Sequence, residues 1–174
     1  MLTNRWLVLA LVFLVGLSVP LHFQAVAALG PYLVDATVLS YTDVGVFTGL
    51  FMLPGVFLAI PAGILSSRIG DRWTLILGLS VMAVAALWFC YADSYVMKFV
   101  TRLLGGCGSV FLGVLLAKVV TDWFAGKEIA TAQSIVASSF GLGVGIAMAV
   151  LPGVAEQTSW EMAMMASALL TAFT

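Results

Sequence analysis

Long stretches without a single charged residue constrain this chain more than any motif in it. They run from Trp6 to Val34, Val44 to Ser67, Trp73 to Ala92, Leu103 to Ala117 and Ile129 to Ala155, and a further one starts at Met162. A helix needs roughly 20 residues to cross ~30 Å of hydrocarbon at ~1.5 Å per residue. The first five runs reach that length, the fourth by taking in Phe99–Thr101 and Arg102. The sixth is too short to cross unless its flank from Ser159 is included, and it is read as a truncated sixth helix.

Composition closes off the soluble alternative. Hydrophobic residues make up 63% of the 174 residues and charged ones 9%, and the mean hydropathy is +1.16. An ordinary soluble domain carries about 25% charged residues, so this chain has no polar coat to present to water. The expectation is an all-α integral membrane chain with spans near 6–29, 44–66, 73–92, 96–118 and 129–152, and a partial one at 160–174. Cys90 and Cys107 both lie in or near apolar runs, which suggests neither a disulfide framework nor a metal cluster, and no cofactor is expected. The formal net charge of -1, with basic residues scattered among the connections, gives no support to a nucleic-acid partner.

Orientation follows from the basic residues, because cytoplasmic flanks retain positive charge. Arg5 precedes the first span, Arg68 and Arg72 lie between the second and third, and Lys118 and Lys127 bracket the connection after the fourth. Asp35, Asp43, Asp93, Glu156 and Glu161 occupy the opposite connections, with Lys98 as their one basic neighbour. This partition places the amino terminus in the cytoplasm of a multi-pass plasma (inner) membrane protein. A secretory signal is the competing reading of the first run, given Arg5, an apolar core to Val19, Pro20 and the small residues Ala25-Val26-Ala27. Retention as a helix is preferred, since the uncharged stretch continues past that point.

Helices in lipid associate through close backbone approach, which small residues at four-residue spacing permit. The fourth span carries Thr101, Gly105, Ser109, Gly113 and Ala117, and Gly108 lies nearby. The fifth carries Ala137, Gly141, Gly145, Ala149 and Gly153. Both stripes predict tight seams, while Pro54 and Pro61 should bend the second span.

Between the second and third spans, Gly63 to Trp73 reads as a short basic loop: Gly-Ile-Leu-Ser-Ser-Arg-Ile-Gly-Asp-Arg-Trp. Turning a helix back in about six residues calls for glycine to relax steric limits and for cations beside the unpaired carbonyls of the helix end. Gly70, Arg68 and Arg72 supply these. The segment resembles the signature loop of the major facilitator superfamily, G-x-x-x-D-R/K-x-G-R/K-R/K in one-letter form, with Gly63, Arg68, Gly70 and Arg72 in register. Ser67 stands where that family usually has aspartate, and Asp71 where it usually has a base. The resemblance implies an inner gating set of Gly63, Leu65, Arg68, Gly70, Asp71 and Arg72.

In the fourth span, Arg102-Leu103-Leu104-Gly105-Gly106-Cys107-Gly108 resembles the same family's R-x-x-x-G-x-G element. The run from Lys118 through Asp122, Trp123 and Phe124 to Glu128 and Ala132, followed by a glycine-rich fifth span, resembles the cyanate and nitrate porter branch. Gly141-Leu142-Gly143-Val144-Gly145 carries valine where nitrate porters place asparagine, so nitrate itself is disfavoured. The resemblance implies the amino-terminal half of a twelve-helix secondary transporter, with a missing carboxy-terminal six-helix half and the lipid bilayer as partners.

Arg102 is the one charge deep inside a span, and a guanidinium in hydrocarbon needs a wet cavity or a partner. It is the first substrate-cavity candidate. No carboxylate occurs inside any complete span, which makes a small, anionic substrate the favoured cargo. His22 and Gln24, just after Pro20, are further cavity candidates. Asp122 and Glu128 are expected to meet Arg68, Arg72 and Lys127 in a charge cluster on the inner face. A membrane enzyme is disfavoured, since His22 has neither a serine elbow nor metal-ligand spacing to serve. A six-helix sensor or homodimeric membrane protein without transport is the alternative reading.

Overall fold

The computed structural model describes residues 4–126 and 128–173, and among them every regular element is an α-helix. In chain order these are α1 (Arg5–Gly16), α2 (Ser18–Ala28), α3 (Gly30–Ala36), α4 (Tyr41–Ile69), α5 (Asp71–Tyr91), α6 (Tyr95–Trp123), α7 (Ile129–Gln157) and α8 (Trp160–Phe173). Five stretches are long and apolar enough to cross a membrane: Arg5–Ala28, α4, α5, α6 and α7.

The first expected span is interrupted twice. Pro20 has no N–H to offer the carbonyl four residues back, and a helical hydrogen bond is lost at the α1–α2 junction, where Leu17 keeps helical angles (φ -69°, ψ -27°) and its own N–H reaches the Phe13 and Leu14 carbonyls at 3.2 and 3.1 Å. Pro31 acts in the same way at the junction of α2 and α3, where Leu29 takes φ -90° and ψ 5°.

The second expected span starts three residues earlier than hydropathy alone indicates. The Ser40 hydroxyl accepts from the Asp43 N–H at 3.3 Å, and the Asp43 carboxylate accepts from the Ser40 N–H at 2.8 Å. This reciprocal cap carries the helix out to Tyr41. Pro54 and Pro61 both lie inside α4.

The connection expected over Gly63 to Trp73 contracts to one residue. Helix α4 continues to Ile69, α5 begins at Asp71, and only Gly70 lies between them, at φ 83°. That conformation is open to glycine and costly for residues with a β-carbon. The Gly70 N–H closes α4 on the Ser66 carbonyl at 3.0 Å, and its carbonyl accepts the Thr74 N–H at 3.1 Å to open α5. The buried Thr74 hydroxyl reaches Ser66 Oγ at 3.1 Å and locks the two helix ends together.

Helix α6 is the central element, packed most extensively against α5 and α4, while α2 packs on α7 and α5 on α8. One apolar core lies toward the Gly70 end, built on Val8, Val12, Phe51, Met82, Leu112 and Leu116. A second lies toward the Lys98 end, built on Leu29, Phe47, Phe89, Leu151, Trp160 and Met164. The outer surface stays oily: on α4, Val56, Phe57 and Ile60 are 75%, 71% and 79% exposed. In water such a face would drive aggregation, whereas hydrocarbon leaves it at rest.

The seams are set by glycine, though not always by the expected ones. Gly78 and Gly108 bring α5 against α6: a β-carbon on Gly78 would lie 2.8 Å from Leu112 Cγ, and one on Gly108 would lie 2.7 Å from the Gly78 carbonyl oxygen. Gly105 faces Phe51 and Ala85, and Gly106 abuts the Phe51 carbonyl and the Pro54 ring.

On α7 the small-residue stripe faces away from the other described helices. Gly141 and Gly145 are exposed and meet nothing within 4 Å of a β-carbon, as does Gly153. The buried line is Ala132, Ser139, Gly143, Ala147 and Leu151, in which Gly143 admits the Pro20 ring and the Leu17 carbonyl of the broken first span. Gly113 of the α6 stripe is likewise open.

Candidate functional site

Arg102 sits where α2, α4 and α6 meet, on the third turn of α6, and is 5% exposed. Its Nε donates to the Phe47 carbonyl at 2.9 Å, Nη1 to the His22 carbonyl at 3.1 Å and Nη2 to the Phe23 carbonyl at 3.2 Å. A carbonyl oxygen has two lone pairs, so each can serve both its own helix and the guanidinium. The guanidinium carbon stands 4.8 Å from the centre of the Phe51 ring, a cation–π contact. Gly105, one turn on, gives Phe51 the room to lie there.

Three of the five N–H donors of Arg102 are thus spent on backbone. Among the described residues no carboxylate forms an ion pair with it. A small void of about 10 Å³ opens beside it, bordered by His22, Thr101, Gly105 and Met164.

The other cavity candidates diverge. His22 is 2% exposed, and its Nε2 lies 2.6 Å from Thr171 Oγ1, joining α2 to α8 inside the bundle. The Thr171 hydroxyl also donates to the Ser167 carbonyl at 3.0 Å. Gln24 is half-buried at the α2–α7 contact, where its amide donates to Met148 Sδ at 3.3 Å. His22 and Arg102 are therefore neighbours, through the His22 carbonyl, while Gln24 stands apart.

At the Gly70 end, Lys118 holds Asp71 at 2.5 Å and Asp122 at 3.4 Å, and Arg5 holds Glu128 at 2.6 Å. The Lys118–Asp71 pair joins α6 to the start of α5 beside the one-residue turn. Arg68 and Arg72 are exposed and form no ion pair among the described residues, so the expected cluster forms around Lys118 instead. Its expected member Lys127 lies outside the described residues. Gly63 lies within α4 and Leu65 is 40% exposed on its surface.

At the opposite end, Lys98 is buried at 5% exposure although it follows the first turn of α6. Sequence reading counts it as a loop cation. Its spacing from Arg102, four residues and one helical turn, is the signal that puts both on one buried face.

An all-helical bundle with oily outer faces and a desolvated interior cation defines a multi-pass membrane protein. The chain belongs to the Major Facilitator Superfamily, whose family model matches residues 4–174. It is 25% identical to the hexuronate transporter of Bacillus subtilis over 154 residues, covering 88% of this chain and 36% of the relative. It is 28% identical over 109 residues to the inner membrane transport protein YajR of Escherichia coli, covering 63% and 24%. It is 27% identical over 139 residues to the quinolone resistance protein NorA of Staphylococcus aureus, covering 78% and 35%. The chain thus spans about a third or less of the length of these curated relatives.

Proposed function

We propose that this chain forms the amino-terminal bundle of a secondary active transporter that moves a small anionic solute across the plasma (inner) membrane by alternating access. Its amino terminus is cytoplasmic in this reading, and the bundle rocks against a second six-helix half around a site near the bilayer midplane. No catalytic role is assigned to any residue.

The anion assignment rests on Arg102. Three of its donors are held by carbonyls, yet among the described residues no carboxylate pairs with its charge, so its field acts on whatever enters beside it. At an effective dielectric of ~20, an anion ~6 Å away gains about 3 kcal/mol from such a charge. The name of the hexuronate transporter, a sugar-acid carrier, agrees with this sign. The Lys118–Asp71 pair, spanning α6 and the start of α5, supports a gating role for the Gly70 end.

The test is uptake into proteoliposomes by the protein encoded by the complete reading frame, with sugar acids, small carboxylates, neutral sugars and a quinolone as candidate cargoes. Saturable uptake of an anion is expected. Uptake confined to neutral sugars or to the quinolone would overturn the assignment.

A further inference from the structure

At the Lys98 end, the ends of α3 and α5 and the starts of α4, α6 and α8 border a half-open cavity of about 560 Å³, within the range of small-molecule sites. Lys98 of α6, Asp93 of the α5–α6 turn, Trp160 and Glu161 at the start of α8, and Asp43 at the start of α4 line it. The buried Phe89 ring lies 4.8 Å from Lys98 Nζ and borders the separate void beside Arg102.

Lys98 is the unusual member. Its Nζ donates to the Phe89 carbonyl at 3.4 Å and stands 5.2 Å from the Trp160 ring centre, between two aromatic faces. An ammonium has three N–H groups, of which one reaches that carbonyl, and Lys98 lines the cavity. Among the described residues no carboxylate lies within 4.0 Å of it.

The carboxylates are separated from the ammonium and differ in availability. Asp43 is engaged with the Ser40 N–H and hydroxyl at 2.8 and 2.7 Å. Asp93 and Glu161 form no ion pair among the described residues.

We propose that this cavity binds a small zwitterion of amino-acid to dipeptide size, its carboxylate on Lys98 and its ammonium between Asp93 and Glu161. Charge complementarity selects that class. A simple anion would meet Lys98 but also two unpaired carboxylates, and a simple cation would meet the carboxylates but also a desolvated ammonium. A molecule carrying both charges a few ångströms apart satisfies each wall without leaving a like charge opposed. The site is separate from Arg102, which does not line the cavity, and its occupancy does not depend on transport.

Calorimetric titration of the 174-residue chain in lipid nanodiscs tests this with three probes of matched size: the dipeptide dialanine, its N-acetyl derivative and its amide. Dialanine is expected to bind at least about tenfold more tightly than either single-charge relative. In Lys98→Met, which keeps the stem over Phe89 and Trp160, the preference over the amide should vanish. In Glu161→Gln, a near-isosteric change at a half-buried side chain, the preference over the N-acetyl derivative should shrink. Equal or tighter binding of either single-charge probe, no saturation of dialanine by ~10 mM, or unchanged selectivity in both variants would overturn the proposal.

Discussion

Replacing Gly106 by alanine tests the packing of α6 on α4 with one methyl group. A β-carbon there would overlap the Phe51 carbonyl oxygen and lie 2.9 and 3.0 Å from the Pro54 ring carbons. Relaxed contacts need ~3.5 Å or more, and both neighbours are stiff, one being backbone and the other a proline ring. The two helices must therefore part by about 1 Å, and overpacking of this kind costs ~1–3 kcal/mol. Removing a glycine from a helix interior returns ~0.5–1 kcal/mol, which leaves Gly106→Ala destabilised by up to ~2.5 kcal/mol.

Gly141→Ala is the paired control. Its β-carbon meets nothing within 4 Å, so only the helix-propensity gain remains and this variant should be more stable than the parent by ~0.5–1 kcal/mol. The assay is reversible unfolding of the chain in mixed micelles on titration with a denaturing detergent, followed by helical circular dichroism. Shifts of opposite sign support the seam assignment. Equal destabilisation at both positions, or a stabilised Gly106→Ala, would refute it.

Two further outcomes are expected. Gly70→Ala places a β-carbon at φ 83° and ψ 164°, a cost of ~1–3 kcal/mol with no clash to blame, since nothing lies within 4 Å; the same unfolding assay should read that loss, and an unchanged midpoint would remove the strain argument. A cysteine at Ile69 in a cysteine-free background should resist an impermeant thiol reagent added to intact cells and react once the membrane is opened; labelling of intact cells would reverse the orientation.

Much of the fold is legible in the sequence because hydrocarbon imposes one demand, length without charge, and α4 to α7 meet it openly. The facing of each helix is less legible. In a soluble bundle the buried side is the oily side, whereas here Phe57 and Ile60 are as oily toward lipid as Phe47 and Phe51 are toward the core. Small-residue spacing shares that ambiguity: Gly141 and Gly145 repeat as regularly as a seam should, but Pro20 docks at Gly143, two positions from each.

The site divides along similar lines. Arg102 stands out as a cation within a span, but its partners are main-chain carbonyls of residues 22, 23 and 47, which carry no side-chain signature. His22 is visible as the single histidine, yet its contact with Thr171 joins residues 149 positions apart. Lys98 is hidden for the opposite reason: it lies among the charges of a helix start, and only the packing of Trp160 and Phe89 over it makes it interior.

The role of the Arg102 charge is tested most directly by anion uptake into proteoliposomes, comparing the parent full-length protein with Arg102→Ala and Arg102→Lys. Removing an attraction of about 3 kcal/mol should weaken apparent affinity by ~100-fold in Arg102→Ala. Arg102→Lys should fall between the two, since lysine keeps the charge but cannot span three carbonyls with a planar fork. Uptake that is unchanged in both variants, with folding intact, would contradict the account.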